Sequence, residues 1–363
     1  MHSFMKLKVS RRRLAAVGGA MAAGSMAGPA LAQERRLWRM VTSWPANAPG
    51  PGTSANRLAR RITELSQGRL VVEVYGAGEL VPAFEVFDAV SLGTAEIGHT
   101  ASLFWAGKMP AAPFFTTIPF GLDPVGHEAW IYEGGGQAIW DDLYAPYGVK
   151  PYLAGNSGMT MGGWFNRPIE TVDDLGGLVQ RIVGLGGEVM RRLGVSAVSL
   201  PPGEIFGALQ AGTIDGAEFL GPWSDMAMGF DRASRFYYWP GFNKPNGSAE
   251  CIVNRNALAA LPEDLQDLVA VACESEAIRG LAEANWQNAM ALERLKTDGR
   301  VELRAFPEAV LSAAHGVSVE VLDGLAGDDA AFAGILASYR QVERRLAGWA
   351  GVTQGPMGRW AGL

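Results

Sequence analysis

The chain has 363 residues, a net charge of −6, an apolar fraction of 48%, two cysteines and four histidines. This composition supports sizeable cores and excludes a disordered chain, a disulfide-rich scaffold and a cysteine-based zinc ribbon. The acidic balance argues against a nucleic-acid-binding protein, which carries a basic patch, and the length predicts two domains.

The first 32 residues differ from the rest of the chain. They contain five basic side chains and no acid, then an apolar run over 14–27, then Ala30-Leu31-Ala32, a pattern typical of a cleavage site. The Ser-Arg-Arg-Arg-Leu stretch at 10–14 predicts a twin-arginine signal peptide over 1–32, and a general secretory signal is the alternative. Its removal leaves a net charge of −11. No later stretch reaches 18 apolar residues, so we expect a soluble, exported protein.

Strand and helix patterns alternate in the first part of the mature chain. Ser54 is the expected cap of a helix in which Leu58, Ile62 and Leu65 share one face. The sequence predicts strands over 37–43, 70–75 and 94–101, with helices after Ser54 and over 82–92. This order predicts a parallel sheet with helices on its faces.

A second unit of the same kind follows. Its predicted strands are 149–154, 161–166, 178–183, 195–200 and 213–219, and its predicted helices are 187–193 and 204–211. Segments 89–98 and 208–217 both show a helix end, a glycine, a threonine and a short strand with an acid. This repetition favours two related α/β lobes, although any α/β protein can reuse such turn chemistry.

The fold prediction is a two-lobed, hinged α/β protein with a helical C-terminal region. Residues 33–155 are expected mainly in lobe 1 and 156–250 mainly in lobe 2. The remainder, 251–363, is expected to cross between the lobes and to form C-terminal helices. The glycines and proline of 351–363 predict that this tail is not one continuous helix.

Motifs of catalysis are absent from the sequence. There is no Gly-x-Gly-x-x-Gly after a strand, no P-loop, no His-Glu-x-x-His, no Gly-x-Ser-x-Gly and no Cys-x-x-Cys. Ser157 is a near miss for a nucleophile elbow, and His99 and His127 are expected to be structural or surface residues. The catalytic set is therefore predicted to be empty, and a binding function is favoured over an enzyme.

Two residues at predicted strand ends have side chains suited to binding a ligand. In open α/β sheets, ligands bind at the carboxyl ends of the strands. Arg181 interrupts an apolar strand, and its forked guanidinium suits bidentate capture of a carboxylate. Glu218, followed by Phe219, ends another strand, and a carboxylate there could complete a cation site. The alternatives are an arginine head that reaches solvent and an exposed strand-end acid.

Several collinear segments resemble the periplasmic solute-binding subunit of TRAP transporters, in particular its branch for 2-oxo acids such as pyruvate. They are 76–82 (GAGELVP), 156–165 (NSGMTMGGWF), 181–184 (RIVG), 189–195 (VMRRLGV) and 212–218 (GTIDGAE). The resemblance runs from about Trp38 to about residue 300. It implies a two-lobed fold that closes on a small organic acid and delivers it to a membrane permease, driven by a sodium gradient.

The resemblance also implies roles for single residues. Arg181 matches the family's carboxylate-binding arginine, and Asn156 is kept as a donor to a ligand oxygen. Glu218 and Phe219 match positions that hold a cation touching the substrate, with Phe219 using its backbone carbonyl. Thr160 stands where the branch has a glutamine that contacts substrate and cation.

Residues 103–105, which include Trp105, form one wall of the cleft and stand where the branch has a tyrosine-rich run. The resemblance implies no required cofactor, but it allows a sodium or calcium ion beside the substrate. The same branch can form homodimers by swapping a C-terminal helix.

Three hypotheses follow for a periplasmic protein of this kind. The first is a binding protein for a 2-oxo acid or related monocarboxylate that works with TRAP permease subunits. The second is an exported periplasmic enzyme, suggested by the twin-arginine-like signal. The third is a sensory relative that keeps the fold and signals through a protein partner.

Overall fold

The computed structural model describes residues 35–357, so the predicted signal peptide lies outside the described residues. The strands are β1 (Arg36–Thr42), β2 (Leu70–Tyr75), β3 (Ile97–Thr100), β4 (Val149–Asn156), β5 (Gly163–Phe165), β6 (Val179–Arg181), β7 (Ser196–Val198), β8 (Gly216–Ala217), β9 (Phe236–Trp239), β10 (Ser248–Asn254) and β11 (Glu302–Ala305). The helices are α1 (Pro51–Leu65), α2 (Val86–Ser91), α3 (Pro124–Tyr132), α4 (Gly136–Tyr144), α5 (Gly184–Arg192), α6 (Ile205–Ala211), α7 (Pro222–Ala227), α8 (Phe230–Ala233), α9 (Arg255–Ala259), α10 (Glu263–Asp298), α11 (Glu308–Asp328) and α12 (Ala330–Met357).

Two mixed sheets organise these elements. Sheet 1 has the order β2-β1-β3-β10-β4, and sheet 2 has the order β11-β9-β5-β8-β6-β7. The predicted parallel sheet is correct for β2-β1-β3, but β10 runs antiparallel to both β3 and β4. Strand β5 is likewise antiparallel to β8 and β9. Both sheets are mixed, because the crossing strands β10 and β5 enter them in the opposite direction.

The chain crosses between the sheets more than once. After β5 to β9 have built most of sheet 2, β10 returns to sheet 1, and β11 then joins sheet 2. The 36-residue helix α10 packs against α1 and β4 and also against α7. We call the parts built on sheet 1 and sheet 2 lobe 1 and lobe 2, and the predicted two-lobed α/β fold is confirmed in this form.

Helix α1 shows how the apolar pattern becomes a core. Leu58 and Ile62 are fully buried against sheet 1, as their spacing predicts, whereas Leu65 at the helix end is 52% exposed. The helix begins at Pro51, so Ser54 lies inside it and is not its cap. The Ser54 hydroxyl donates instead to Glu276 of α10, at 2.6 Å.

The repeated turn appears once in each lobe with the same backbone conformation. Gly93 follows α2 with φ 74°, and Gly212 follows α6 with φ 68°. Glycine reaches this left-handed region without the steric cost that a Cβ brings. The sequence repetition therefore encodes the same helix stop in both lobes.

The C-terminal helices pack against the body of the molecule. Helix α12 contacts α3, α4 and α11, and it buries Phe332, Ile335, Leu336 and Tyr339. Helix α12 extends to Met357. Residues 358–363 lie outside the described residues, so the statement that 351–363 is not one continuous helix stays a prediction. Helix α11 has the length and apolar composition of a membrane span, and it packs on α5 and α12.

The two cysteines lie in one core cluster. Cys251 of β10 and Cys273 of α10 are both buried free thiols between sheet 1 and α10. Burial raises the pKa of Cys251 well above its ordinary value. The Cys251 thiol is therefore protonated at neutral pH and unreactive as long as it stays buried.

Candidate ligand-binding site

A cavity lies between the two lobes and takes its walls from both. Its apolar walls come from Trp44, Leu103, Phe104, Val183, Phe219, Leu220 and Trp223. Its polar lining includes Arg181, Lys244, Asn156, Ser157 and Glu283. A concave, mostly apolar space with a few convergent polar groups is the usual form of a small-molecule site.

Arg181 is the last residue of β6 and is held by backbone carbonyls of lobe 2. Its Nε donates to the Leu200 carbonyl at 3.1 Å, and its Nη1 donates to the Glu218 carbonyl at 2.7 Å. The side chain is 1% exposed, and Nη2 has no hydrogen-bond partner among residues 35–357. Burial lowers the pKa of Arg181, but a guanidinium stays charged at neutral pH.

Glu218 lies immediately after β8 and contacts two cations. Its Oε1 is 2.5 Å from Lys244 Nζ, and its Oε2 is 3.7 Å from Arg181 Nη1. Lys244 Nζ also donates to the backbone carbonyl of Phe219. We call Arg181, Glu218 and Lys244 the buried charge cluster, because the three are 1%, 1% and 7% exposed. Its formal net charge is one positive.

Asn156 ends β4 and lines the cavity from the lobe 1 side. Its Nδ2 donates to Asn246 at 3.0 Å and to Ser248 at 3.1 Å, and its Oδ1 accepts from the Gly158 backbone at 2.8 Å. Both amide hydrogens are thus used within the chain. The amide shapes the cavity wall by holding this polar network in place.

Two residues that the sequence placed at the site do not line the cavity. Trp105 donates its indole N–H to Glu250 at 2.7 Å in the core of lobe 1, and its neighbours Leu103 and Phe104 face the cavity instead. One short 3₁₀ turn, Ser102–Trp105, aims these side chains in different directions. Thr160 is also buried beside the site, and its hydroxyl donates to the Lys244 carbonyl.

The sequence interpretation missed Lys244 and Trp44. Lys244 lies in the loop between β9 and β10, where a single lysine has no pattern that marks it. Trp44 follows β1 and donates to His99 Nδ1 at 2.9 Å, while His99 Nε2 bonds to the Ala154 carbonyl at 2.6 Å. Burial lowers the pKa of His99 to about 4, so it is neutral and structural. His127 is buried in the same way, and the structural interpretation of both histidines is confirmed.

The residues that the sequence assigned to a cation do not fit a metal ion as the chain arranges them. The Glu218 carboxylate and the Phe219 carbonyl are both bound by the Lys244 ammonium, and the Thr160 hydroxyl is used by the Lys244 backbone. Between residues 35 and 357 no group of three or more His, Cys, Asp or Glu side chains could hold a metal. A metal would have to displace the lysine from its ligands.

The fold and the cavity define a two-lobed protein that encloses a small ligand. A family model described as bacterial extracellular solute-binding protein, family 7 (DctP) matches residues 40–327, and the chain belongs to this family. It is a family of non-catalytic, periplasmic solute-binding proteins of TRAP transporters. The predicted family and periplasmic location are therefore confirmed.

Three relatives show how much of the chain is shared. A monocarboxylate 2-oxoacid-binding periplasmic protein of Nostoc sp. is 40% identical over 86% of this chain and 85% of that protein. A TRAP solute-binding protein from Pseudoalteromonas atlantica, solved with bound sodium and pyruvate, has a TM-score of 0.87 at 34% identity and covers 90% of this chain and 99% of that one. A protein from Bordetella bronchiseptica, a dimer with copurified calcium and picolinate, has a TM-score of 0.87 at 36% identity and covers 90% of this chain and 96% of that one.

Proposed function

We propose that the protein binds a monocarboxylate 2-oxo acid such as pyruvate between its lobes and delivers it to a TRAP membrane permease. The observation that carries the proposal is Arg181, a buried guanidinium at the cavity whose Nη2 is unpartnered among residues 35–357. A ligand carboxylate at this nitrogen would form a charge-assisted hydrogen bond, which is about twice as strong as one between neutral groups.

The charge of the site favours one carboxylate over two. Glu218 and the buried Asp225, which also interacts with Arg181 and Lys244, already offset the positive charge of the site, so a second ligand carboxylate would find no free cation. Glu283, also on the cavity lining, is bound by Arg57 at 2.7 Å. A second carboxylate would face aromatic walls, where an unpaired charge is costly.

The apolar walls favour a short alkyl substituent. Trp44, Phe104 and Trp223 surround the space beside the cluster and offer contact area without charge. The ligands of the relatives have matching chemistry, because the Nostoc protein is named for 2-oxo acids and the Pseudoalteromonas protein holds pyruvate. Phe219 and Asn156 would complete the ligand's surroundings, and Thr160 and Trp105 would support them from behind.

Two further parts of the proposal concern the whole chain. Residues 33–155 would act mainly as lobe 1, 156–250 mainly as lobe 2, and 251–363 as the crossing segment and helices, after removal of a signal at 1–32. The acid would bind Arg181 in the open form, the lobes would close, and the closed form would dock on the permease.

A homodimer, as in the Bordetella relative, is also part of the proposal. Trp286 of α10 and Trp349 of α12 are 67% and 65% exposed, and such aromatic side chains are common at interfaces. Light scattering of the mature protein tests this part. A monomer at all concentrations would remove it.

Titration calorimetry with pyruvate, longer 2-oxo acids, galacturonate and 2-amino-1-propanol tests the function. We expect 2-oxo acids to bind and the other two to fail. Arg181→Ala should weaken binding by at least about 30-fold, because a buried charge pair is worth about 2–5 kcal/mol. The matched control is Arg39→Ala, which removes a strand arginine paired with Glu96 outside the cavity. Equal binding by the Arg181 variant and wild type would refute the proposal.

A further inference from the structure

Lys244 occupies the position at which the sequence placed a metal ion. Its Nζ lies 2.5 Å from Glu218 Oε1 and donates to the Phe219 carbonyl. A carboxylate oxygen and a backbone carbonyl are the ligands that hard cations such as sodium and calcium prefer. The ammonium donates to the Phe219 carbonyl and forms an ion pair with Glu218 Oε1, so it contacts both oxygens that a metal ion would use.

The loop around Lys244 is fastened on both sides of the lysine. A Cβ on Gly241 would lie 2.3 Å from the Thr160 carbonyl oxygen, and a Cβ on Gly247 would lie 1.8 Å from Ser157 Oγ. These glycines allow the loop to lie directly on segment 157–160. The Ser157 N–H donates to the Gly247 carbonyl at 2.9 Å, and the Thr160 hydroxyl donates to the Lys244 carbonyl. The ammonium is therefore held in place before any ligand arrives.

A metal ion cannot share this position with the lysine. Lys244 already lies against Glu218 and the Phe219 carbonyl, and a metal ion within a few ångströms of its ammonium would be repelled in a low-dielectric site. Apart from these two contacts Lys244 Nζ has no partner among the described residues, and Lys244 lines the cavity. A remaining N–H of the ammonium can donate to an oxygen of a ligand whose carboxylate is on Arg181.

We propose that Lys244 is a built-in replacement for a metal ion, so that this protein binds its carboxylate ligand through Arg181 and Lys244 without sodium or calcium. The inference rests on the proposed function for the nature of the ligand. It also predicts that the protein binds no calcium in the absence of an organic acid, which can be tested separately.

The first experiment measures pyruvate binding by calorimetry. The mature protein is treated with EDTA, exchanged into sodium-free choline chloride buffer, and titrated with potassium pyruvate without metal, with sodium, and with calcium. We expect the three affinities of the wild type to agree within about twofold. Wild-type affinity at least about tenfold higher with sodium or calcium would overturn the inference while leaving the proposed function intact.

The second experiment measures calcium binding without pyruvate, by thermal shift and calorimetry. We expect no calcium binding by the wild type and a gain of binding in Lys244→Gln, which removes the ammonium and frees the Glu218 and Phe219 oxygens. Lys244→Arg keeps a cation and should bind no calcium, and Lys150→Gln, which breaks an ion pair with Asp141 outside the cavity, is the matched control. Calcium binding by the wild type would contradict the inference.

The two experiments separate the two proposals. If no 2-oxo acid binds under any condition, the proposed function fails, and the calcium measurement still decides whether Lys244 fills the cation position. If Lys244→Gln does not fold, Lys244→Arg and the wild type supply both readouts. Pyruvate binding by Lys244→Gln that is weakened at least about tenfold and restored by calcium would support the inference most strongly.

Discussion

Two buried glutamates, one in each lobe, differ in what surrounds them. Glu218 of lobe 2 and Glu250 of lobe 1 are both 1% exposed. Glu218 contacts the cations of Lys244 and Arg181. Glu250 accepts hydrogen bonds from neutral donors only, the Trp105 indole at 2.7 Å and the Tyr144 hydroxyl at 3.0 Å.

The two glutamates have different electrostatic surroundings. Burial raises the pKa of Glu250 to about 8, so its protonated form predominates at neutral pH. Glu218 instead forms ion pairs with Lys244 and Arg181. Equal burial therefore accompanies a neutral, structural acid in the core of lobe 1 and an ion-paired acid at the cavity in lobe 2.

The largest expected effect comes from removing the charge of Glu218. Glu218→Gln leaves Arg181 and Lys244 buried without their shared counter-charge, which should lower the free energy of unfolding by about 3–5 kcal/mol. Urea denaturation of the mature protein measures this. The double variant Glu218→Gln with Lys244→Met should recover part of the loss, because it removes one uncompensated charge. A loss below about 1 kcal/mol would show that the cluster is not charged as described.

Glu250 is expected to make the free energy of unfolding depend on pH. Its folded pKa, about 8, lies above the ordinary 4.5, so between these values the folded chain holds a proton that the unfolded chain has released. Stability should therefore fall as the pH rises from about 5 to 8, by about 2–4 kcal/mol.

The difference between wild type and Glu250→Gln isolates this contribution, since His99, His127 and Asp225 titrate in both proteins. We expect the variant to gain stability relative to wild type as the pH rises. A pH-independent difference would mean that Glu250 keeps its ordinary pKa when buried.

The smallest expected effect is at Thr160. Thr160→Val keeps the side-chain volume and removes the hydroxyl that donates to the Lys244 carbonyl, which should cost about 1 kcal/mol. The control is Thr213→Val, whose exposed hydroxyl donates to the Ala208 carbonyl and should change stability by less than about 0.5 kcal/mol. Urea denaturation measures the difference, and an unchanged free energy of unfolding in Thr160→Val would show that the hydroxyl does not hold the lysine loop.

Local patterns were enough to predict several helices and turns of both lobes. The period of Leu58 and Ile62 and the glycine stops at Gly93 and Gly212 are set by interactions within a few residues. Arg181 was also recognisable, because a charged side chain inside an apolar strand needs a reason to be there. The strand β9 was missed, since its side chains are mostly buried and show no alternation between apolar and polar positions.

The rest of the site depends on contacts between distant segments. Lys244 meets Phe219, 25 residues away, only after the β9–β10 loop folds against segment 157–160. Trp105 and Leu103 belong to one turn, and only tertiary packing decides which of them enters the core and which faces the cavity. A residue's position beside a motif in the sequence does not settle the direction of its side chain.

A crystal structure of the mature protein grown with pyruvate and calcium tests the central claim most directly. We expect the pyruvate carboxylate on Arg181, Lys244 Nζ still bound to Glu218 and the Phe219 carbonyl, and no calcium at that position. A calcium ion coordinated by Glu218 and the Phe219 carbonyl, with Lys244 turned away, would contradict the claim.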